Sequence, residues 1–389
     1  MSKRYQGGVL GVGFNPLRAP NAPTVGTATG GNASATVAFT APACVGGSAI
    51  TGYTAQSNPG GFSGAAVGSP ITVSGLSNGT SYTFGVFALN SYGPSPISAF
   101  SNSVTPSADG TFGIFALGSV CATATTTRNK YTYSGCVVSA GGAATTASRF
   151  GSAAGNSTVG IFALGWAPST VSTTRNKYTY AGDVVSAGGA ATVASYRGSA
   201  AGNSTVGIFA LGNTGTPSTT RNKYTYSGDT VASATAATAA SSVGSAAGNS
   251  TLGIFALGLN ACDNPTTTRN KYTYSGDVVA AGGAATAASW GGAAAGNSTF
   301  GIFQLGNSLT ARNKYTYSGC VVAAGGAATA ASCQGSAAGN STIGIFAIGG
   351  SAARDKYTYS GCVVATGGAA TAASGGQSAA SNGTSGVNM

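Results

Sequence analysis

Histidine and glutamate are absent from this chain, and its only acids are six aspartates. Without them, histidine-centred triads, histidine-rich metal sites and the usual proton-transfer pairs cannot be assembled. The chain is therefore expected not to be an enzyme and to need neither metal nor cofactor. Charged residues make up 6% of the sequence. No apolar run is long enough to cross a bilayer, and residues 1–8 lack the apolar core of a secretory signal, so neither membrane insertion nor ordinary export is expected.

What is present is glycine, at 64 of 389 residues, with 42% apolar residues, 17 tyrosines and 15 phenylalanines. That mixture points to an ordered, turn-rich, all-β protein, because the aromatic content can bury area against chain entropy. Seventeen basic residues against six acids leave a net charge of +11, which draws the chain towards an anionic partner.

The main organising feature is a repeat. From Gly113 onward six near-copies of a unit follow one another, each about 46 residues long. Tyr131, Tyr178, Tyr224, Tyr272 and Tyr315 each stand 29 positions before the glycine of the next Gly-Ile-Phe segment: Gly160, Gly207, Gly253, Gly301 and Gly344. A unit that cannot bury its apolar face alone must stack on its neighbours, so the copies are expected to share one core.

Three regions follow. Residues 1–19 form a glycine-rich leader, expected to dock on a partner. Residues 20–107 alternate between short apolar segments and Gly, Pro or Asn turns, with strands expected at 36–39, 50–53, 71–73 and 82–88. Here Pro23, the 46–53 segment (Gly-Gly-Ser-Ala-Ile-Thr-Gly-Tyr), Gly75, Leu76, Asn78, Gly79, Thr80, Tyr82, Val86, Ala88, Asn90, Gly93 and Ser98 carry a likeness. The segment resembles a fibronectin type III domain. That resemblance implies a β-sandwich with a tyrosine corner at Leu76 and Tyr82, and Phe39 in place of the family's usual tryptophan.

Residues 108–389 hold the six copies. Each reads Gly-Ile-Phe-Ala-Leu-Gly, a variable loop, Arg-Asn-Lys-Tyr-Thr-Tyr-Ser-Gly-Asp-Val-Val, a Gly-Ala-Thr stretch, and Gly-Ser-Ala-Ala-Gly-Asn-Ser-Thr. Residues 161–164 are apolar on both faces, as in a fully buried strand. In 175–180 a period of two puts Arg, Lys and Thr on one face and Asn, Tyr and Tyr on the other. A third strand at 183–185 and a fourth at 199–201 complete the size of one propeller blade. The unit resembles the degenerate kelch-like repeats of bacteriophage structural proteins. The expected fold is thus an all-β chain: a fibronectin type III-like β-sandwich followed by a six-bladed kelch-like β-propeller, with a β-solenoid or intertwined fibre as the alternative. In a ring, the first Gly-Ile-Phe strand would complete the last blade.

Candidate sites lie where the copies differ. The loop before each Arg-x-Lys has nine residues (119–127), nine (166–174), eight (213–220), ten (259–268), five (307–311) and four (350–353). A variable dipeptide follows each Ala-Ser turn and includes Arg149-Phe150, Tyr196-Arg197 and Trp290-Gly291. Arg149, Phe150, Trp166, Tyr196, Arg197 and Trp290 are the candidate ligand-binding residues, since arginine beside aromatic rings suits sugar stacking or protein packing. Arg128, Lys130, Arg175, Lys177, Arg221, Lys223, Arg269, Lys271, Arg312, Lys314, Arg354 and Lys356 would form a ring of twelve cations facing an anionic partner, or else solvated strand ends paired with the Asp of Ser-Gly-Asp.

Cys136, Cys320 and Cys362 occupy the position held elsewhere by Asp183, Asp229 and Asp277. All seven cysteines are read as free thiols, with Cys320 and Cys333 the pair least excluded. The Asn-Ser-Thr triplets read as turns, and one Asp per copy is too few for calcium. The resemblance implies a non-enzymatic phage virion surface protein of tail-fibre or capsid-decoration type, assembled in the host cytoplasm. Its expected partners are other virion proteins and host surface polysaccharide, with no nucleic acid, in a homo-oligomer within the particle. The alternative is a purely structural cement or adaptor.

Overall fold

Alternation sets the first unit. In Ser34–Thr40 every second side chain, Ala35, Val37 and Phe39, is buried, so one face of the strand forms core. The computed structural model describes residues 18–31, 33–78, 80–106, 112–167 and 169–381, in two units, 1–108 and 109–389. The expected docking leader lies outside the described residues up to position 17. Arg18, just beyond it, already donates its backbone N–H to Gly46 O at 2.8 Å.

Seven strands make up the first unit: β1 (Thr24–Gly31), β2 (Ser34–Thr40), β3 (Gly52–Asn58), β4 (Ser63–Ala66), β5 (Ile71–Ser74), β6 (Thr83–Asn90) and β7 (Gly93–Pro94). They form two antiparallel sheets, β1-β2-β5 and β4-β3-β6-β7. Val37, Ile71, Val73, Leu76, Phe84 and Val86 fill the core. The Phe39 ring packs 4.6 Å from that of Tyr53. The Tyr82 hydroxyl accepts the Ser77 N–H at 3.1 Å, which is the corner expected from the sequence.

The second unit contains six four-stranded antiparallel sheets. In the second sheet the order is Ser152–Gly155, Val159–Ala163, Arg175–Thr179, Val184–Gly188. One expectation is corrected here. The Ser-Ala-Ala segment is not the fourth strand of its own copy but the first strand of the next sheet; Ser199–Gly202 pairs with Val206–Ala210. The cause is local. Asn203 Oδ1 accepts the N–H groups of Thr205 and Val206, closing a tight turn that hairpins the two strands together.

The first sheet draws on both ends of the unit. Ser378–Ser381 pairs with Phe112–Ala116, Ala379 opposite Phe115, beside Arg128–Thr132 and Val137–Ala140.

Both faces of the second strand are buried between sheets. Ile161 packs towards Ala200, Phe209 and Tyr224 of the third sheet, whereas Phe162 packs with Ile114 and Ala380 of the first. The sixth sheet packs on the first in the same way, through Ile345, Phe115 and Tyr131. Close approach explains the invariant glycine of Gly-Ile-Phe. A Cβ on Gly207 would meet the Ala154 Cβ of the preceding sheet at 3.0 Å and the Tyr226 hydroxyl at 2.9 Å.

Candidate functional site

The Arg-Asn-Lys strand does not present a ring of twelve cations. Its six arginines are only 1–2% exposed. Arg175 Nη2 donates to Asn222 Oδ1 of the next sheet at 3.1 Å, and its guanidinium lies 4.5 Å from the Phe209 ring centroid there. Arg128, Arg221 and Arg269 repeat this with Asn176, Asn270 and Asn313. Arg312 uses Asp355, and Arg354 returns to Asn129 of the first sheet. Burial holds the guanidinium pKa of Arg128, Arg175, Arg221, Arg269 and Arg354 down to about 10. They remain charged at neutral pH and act as cation–π struts between sheets. Alternation had placed them with lysine on the open face; the narrow gap between sheets buries that face as well.

The lysines of the same strands are half-buried. Lys130, Lys177 and Lys223 reach Asp183, Asp229 and Asp277 at 3.1, 2.8 and 3.2 Å. Each partner belongs to the following copy, so these ion pairs bridge sheets. Lys271, Lys314 and Lys356 have no such carboxylate partner among the described residues. In the copies that follow them the aspartate position holds Cys320, Cys362 and Cys136, and because the pairing runs between copies it is not visible within one copy of the repeat. The Asp-to-Cys exchange was the signal that could have revealed it. All seven cysteines are free, Cys320 and Cys333 included.

The variable positions come together. Arg149 and Trp166 exchange backbone hydrogen bonds at 3.0 and 2.8 Å, and Tyr196 and Asn213 do so at 3.1 and 2.9 Å. Both dipeptides are thereby tied to the head of the variable loop that follows them. The dipeptides are also tied to one another. Phe150 donates its N–H to Gly376 O, Arg197 to Phe150 O, Val243 to Arg197 O, Gly291 to Val243 O and Gln334 to Gly291 O, at 2.7–2.9 Å. The second residue of every dipeptide has a left-handed backbone, with φ from +55° at Val243 to +63° at Gly291. Only glycine adopts that region without strain, and a β-branched valine is rare there.

Five of the six candidate ligand residues form one cluster. The guanidiniums of Arg149 and Arg197 lie 5.3 and 5.2 Å from the Phe150 ring centroid. Arg197 also sits 5.4 Å from the Tyr196 ring, and the Trp166 and Tyr196 rings meet edge to face at 5.3 Å. All are half-buried. The Nε atoms of Arg149 and Arg197 are buried and have no hydrogen-bond partner among the described residues. Trp290 stands apart, its carbonyl accepting the Asn307 N–H at 2.9 Å.

No group of three or more His, Cys, Asp or Glu side chains that could hold a metal occurs among the described residues. No helix among them is long and apolar enough to cross a membrane.

Comparison with known proteins bears on the first unit. A search of curated proteins finds no match to this chain. Among solved structures, "Titin kinase and its flanking domains" is similar at 29% identity over 23% of this chain and 17% of that one, with a TM-score of 0.20. The chain thus spans under a fifth of that protein's length, and so low a score carries no structural argument. The family described as the fibronectin type III domain matches residues 18–104, the stretch that holds β1–β7. The chain carries a fibronectin type III domain at residues 18–104.

Proposed function

We propose that the six sheets close into a six-bladed propeller, and that the chain is a non-enzymatic surface component of a phage particle, of tail-fibre or capsid-decoration type. Its propeller presents the Arg149, Phe150, Trp166, Tyr196 and Arg197 cluster to a host surface polysaccharide or a neighbouring virion protein. Ring closure is supported by the Arg-to-Asn hydrogen bonds, which run from sheet to sheet and return from Arg354 to Asn129. The phage assignment rests on the likeness of the repeat to kelch-like units of phage structural proteins.

The observation that carries the recognition role is the convergence of variable dipeptides and variable loops. The repeated arginines, tyrosines and Ile-Phe pairs are buried in packing, and what varies is gathered at shared backbone contacts. Two guanidiniums flank one ring, with a Trp–Tyr pair beside them, a composition suited to sugar rings and their polar substituents. Left-handed residues other than glycine cost of order 1–3 kcal/mol each, and such strain concentrates at binding sites.

Half-burial of all five residues favours a second reading, a structural cement whose cluster packs the centre of the ring. Host-cell and glycan-array binding by the full chain separates the two. On the adhesion reading Trp166→Ala with Tyr196→Ala lowers binding at least tenfold while thermal stability stays close to wild type. Absence of any cell or glycan binding by the wild-type chain, together with its retention on purified particles, would support the cement.

A further inference from the structure

The six strand lysines divide into two sets of three consecutive copies. Lys130, Lys177 and Lys223 each meet a carboxylate of the following copy. That carboxylate also accepts the hydroxyl of the buried tyrosine five positions before it, as in Tyr178 to Asp183 at 2.7 Å and Tyr224 to Asp229 at 2.8 Å. Opposite Lys271, Lys314 and Lys356 the equivalent position holds Cys320, Cys362 and Cys136. Among the described residues no carboxylate lies within ion-pair distance of these three lysines.

The backbone at that position does not change. Its φ is +53° at each of the three aspartates and +53° to +55° at the three cysteines. Cysteine places one sulfur where aspartate places a carboxyl group of three heavy atoms, so no carboxylate oxygen stands at that position. Lys314 lies 4.2 Å from the Phe300 ring centroid, but this contact does not replace a carboxylate. Lys130 lies 4.3 Å from the Phe112 ring and is ion-paired as well. The one acid that follows Asp277 in the sequence, Asp355, is fully buried against Arg312 at 2.7 Å. The protein therefore shows in three copies which group completes the gap, and omits it in the next three.

We propose that the three consecutive Lys–Cys gaps form an anion-binding arc that takes carboxylates of an acidic polysaccharide, one per gap, in the position the aspartate oxygens hold in the sister copies. A polymer that carries many carboxylates along its length can place one in each of several single-cation sites repeated from sheet to sheet. Nucleic acid suits them less, since the tyrosines of these strands are buried and offer no stacking face. The arc uses none of the residues of the arginine–aromatic cluster and does not depend on the function proposed for it.

The test uses the full chain and polygalacturonate as the probe, with neutral dextran and a single-stranded DNA oligonucleotide as further arms, at low and high salt. The triple variant Cys136→Asp, Cys320→Asp, Cys362→Asp supplies in cis a side chain the sister copies already carry, so it is expected to fold. It should bind polygalacturonate about tenfold more weakly, in keeping with the modest worth of partly exposed ion pairs. The reverse variant, Asp183→Cys, Asp229→Cys, Asp277→Cys, should raise the stoichiometry, and salt should weaken binding throughout. Unchanged binding by the triple Asp variant overturns the proposal. So does binding lost instead on Arg149→Ala with Arg197→Ala, or tighter binding of DNA than of polygalacturonate.

Discussion

Arg354 in the sixth sheet donates through Nη2 to Oδ1 of Asn129 in the first, at 3.2 Å, and its guanidinium lies 4.6 Å from the Phe115 ring centroid. The same Asn129 holds Thr371 from both sides, accepting its N–H at 3.2 Å and donating to its hydroxyl at 2.9 Å. An interior contact of the series, Arg175 with Asn222, has the same form.

Asn129→Ala is therefore expected to cost about 3 kcal/mol, because it removes the Nη2 acceptor of a buried guanidinium and the acceptor of a loop amide together. Asn222→Ala should cost a similar amount. Urea unfolding of both variants checks this, and a silent Asn129→Ala would mean that the sixth and first sheets are not joined in solution.

Gly207→Val tests sheet-to-sheet approach. Even the added Cβ would stand 3.0 Å from that of Ala154, and two further methyl groups force the second and third sheets apart. A loss of about 3 kcal/mol is expected, the upper part of the usual range for overpacking. Thermal unfolding of the variant reads it directly.

Alkaline stability follows from burial. Desolvation raises the pKa of twelve repeat tyrosines, Tyr315 to about 12 and Tyr131, Tyr178 and Tyr224 further still. In the unfolded chain these phenols ionise near pH 10. Above that pH the unfolded state binds fewer protons than the folded one, so stability present below about pH 10 falls as pH rises. The six arginines, lowered by burial, act in the opposite sense but are half as many. The part of the tyrosinate absorbance that belongs to these twelve of the 17 tyrosines should be absent just past pH 10 and then appear in one cooperative step with loss of structure. Gradual titration of these phenols near pH 10 in the folded protein would contradict the burial described.

Tyr82→Phe removes the acceptor for the Ser77 N–H and should cost about 1 kcal/mol, confined to the fibronectin type III domain. Differential scanning calorimetry should show one transition lowered and the other unchanged.

Much of the architecture could be read from the repeat itself. The fixed distance from Tyr131 to Gly160 and its four recurrences mark strands that occupy the same place in successive sheets. Leu76 and Tyr82 marked the sandwich corner in the same way. The copy in the sequence is not the structural unit. Ser199–Gly202 belongs with Val206–Ala210 because a hairpin turn outweighs the copy boundary. Two-residue alternation put Arg175 outside with Lys177, since it assumes that one face of a strand meets water. Between packed sheets the arginine end of that face is buried while its lysine stays half-exposed, and the constant trio of Arg, Asn and Phe marks the strut. The ligand candidates were found through their variability, but nothing in their spacing revealed that Arg149 pairs with Trp166 or that Arg197 stands over Phe150.

The clasp between Phe112–Ala116 and Ser378–Ser381 has a mechanical consequence. Gly113 lies opposite Ser381, whereas Ala116 lies opposite Ser378. Tension on the two outgoing ends therefore enters at the same side of the pair and peels it one bond at a time, rather than shearing all its bonds together. Such a seam yields at low force. A protein built this way resists a load carried through its sheets better than one applied to the two ends of this pair.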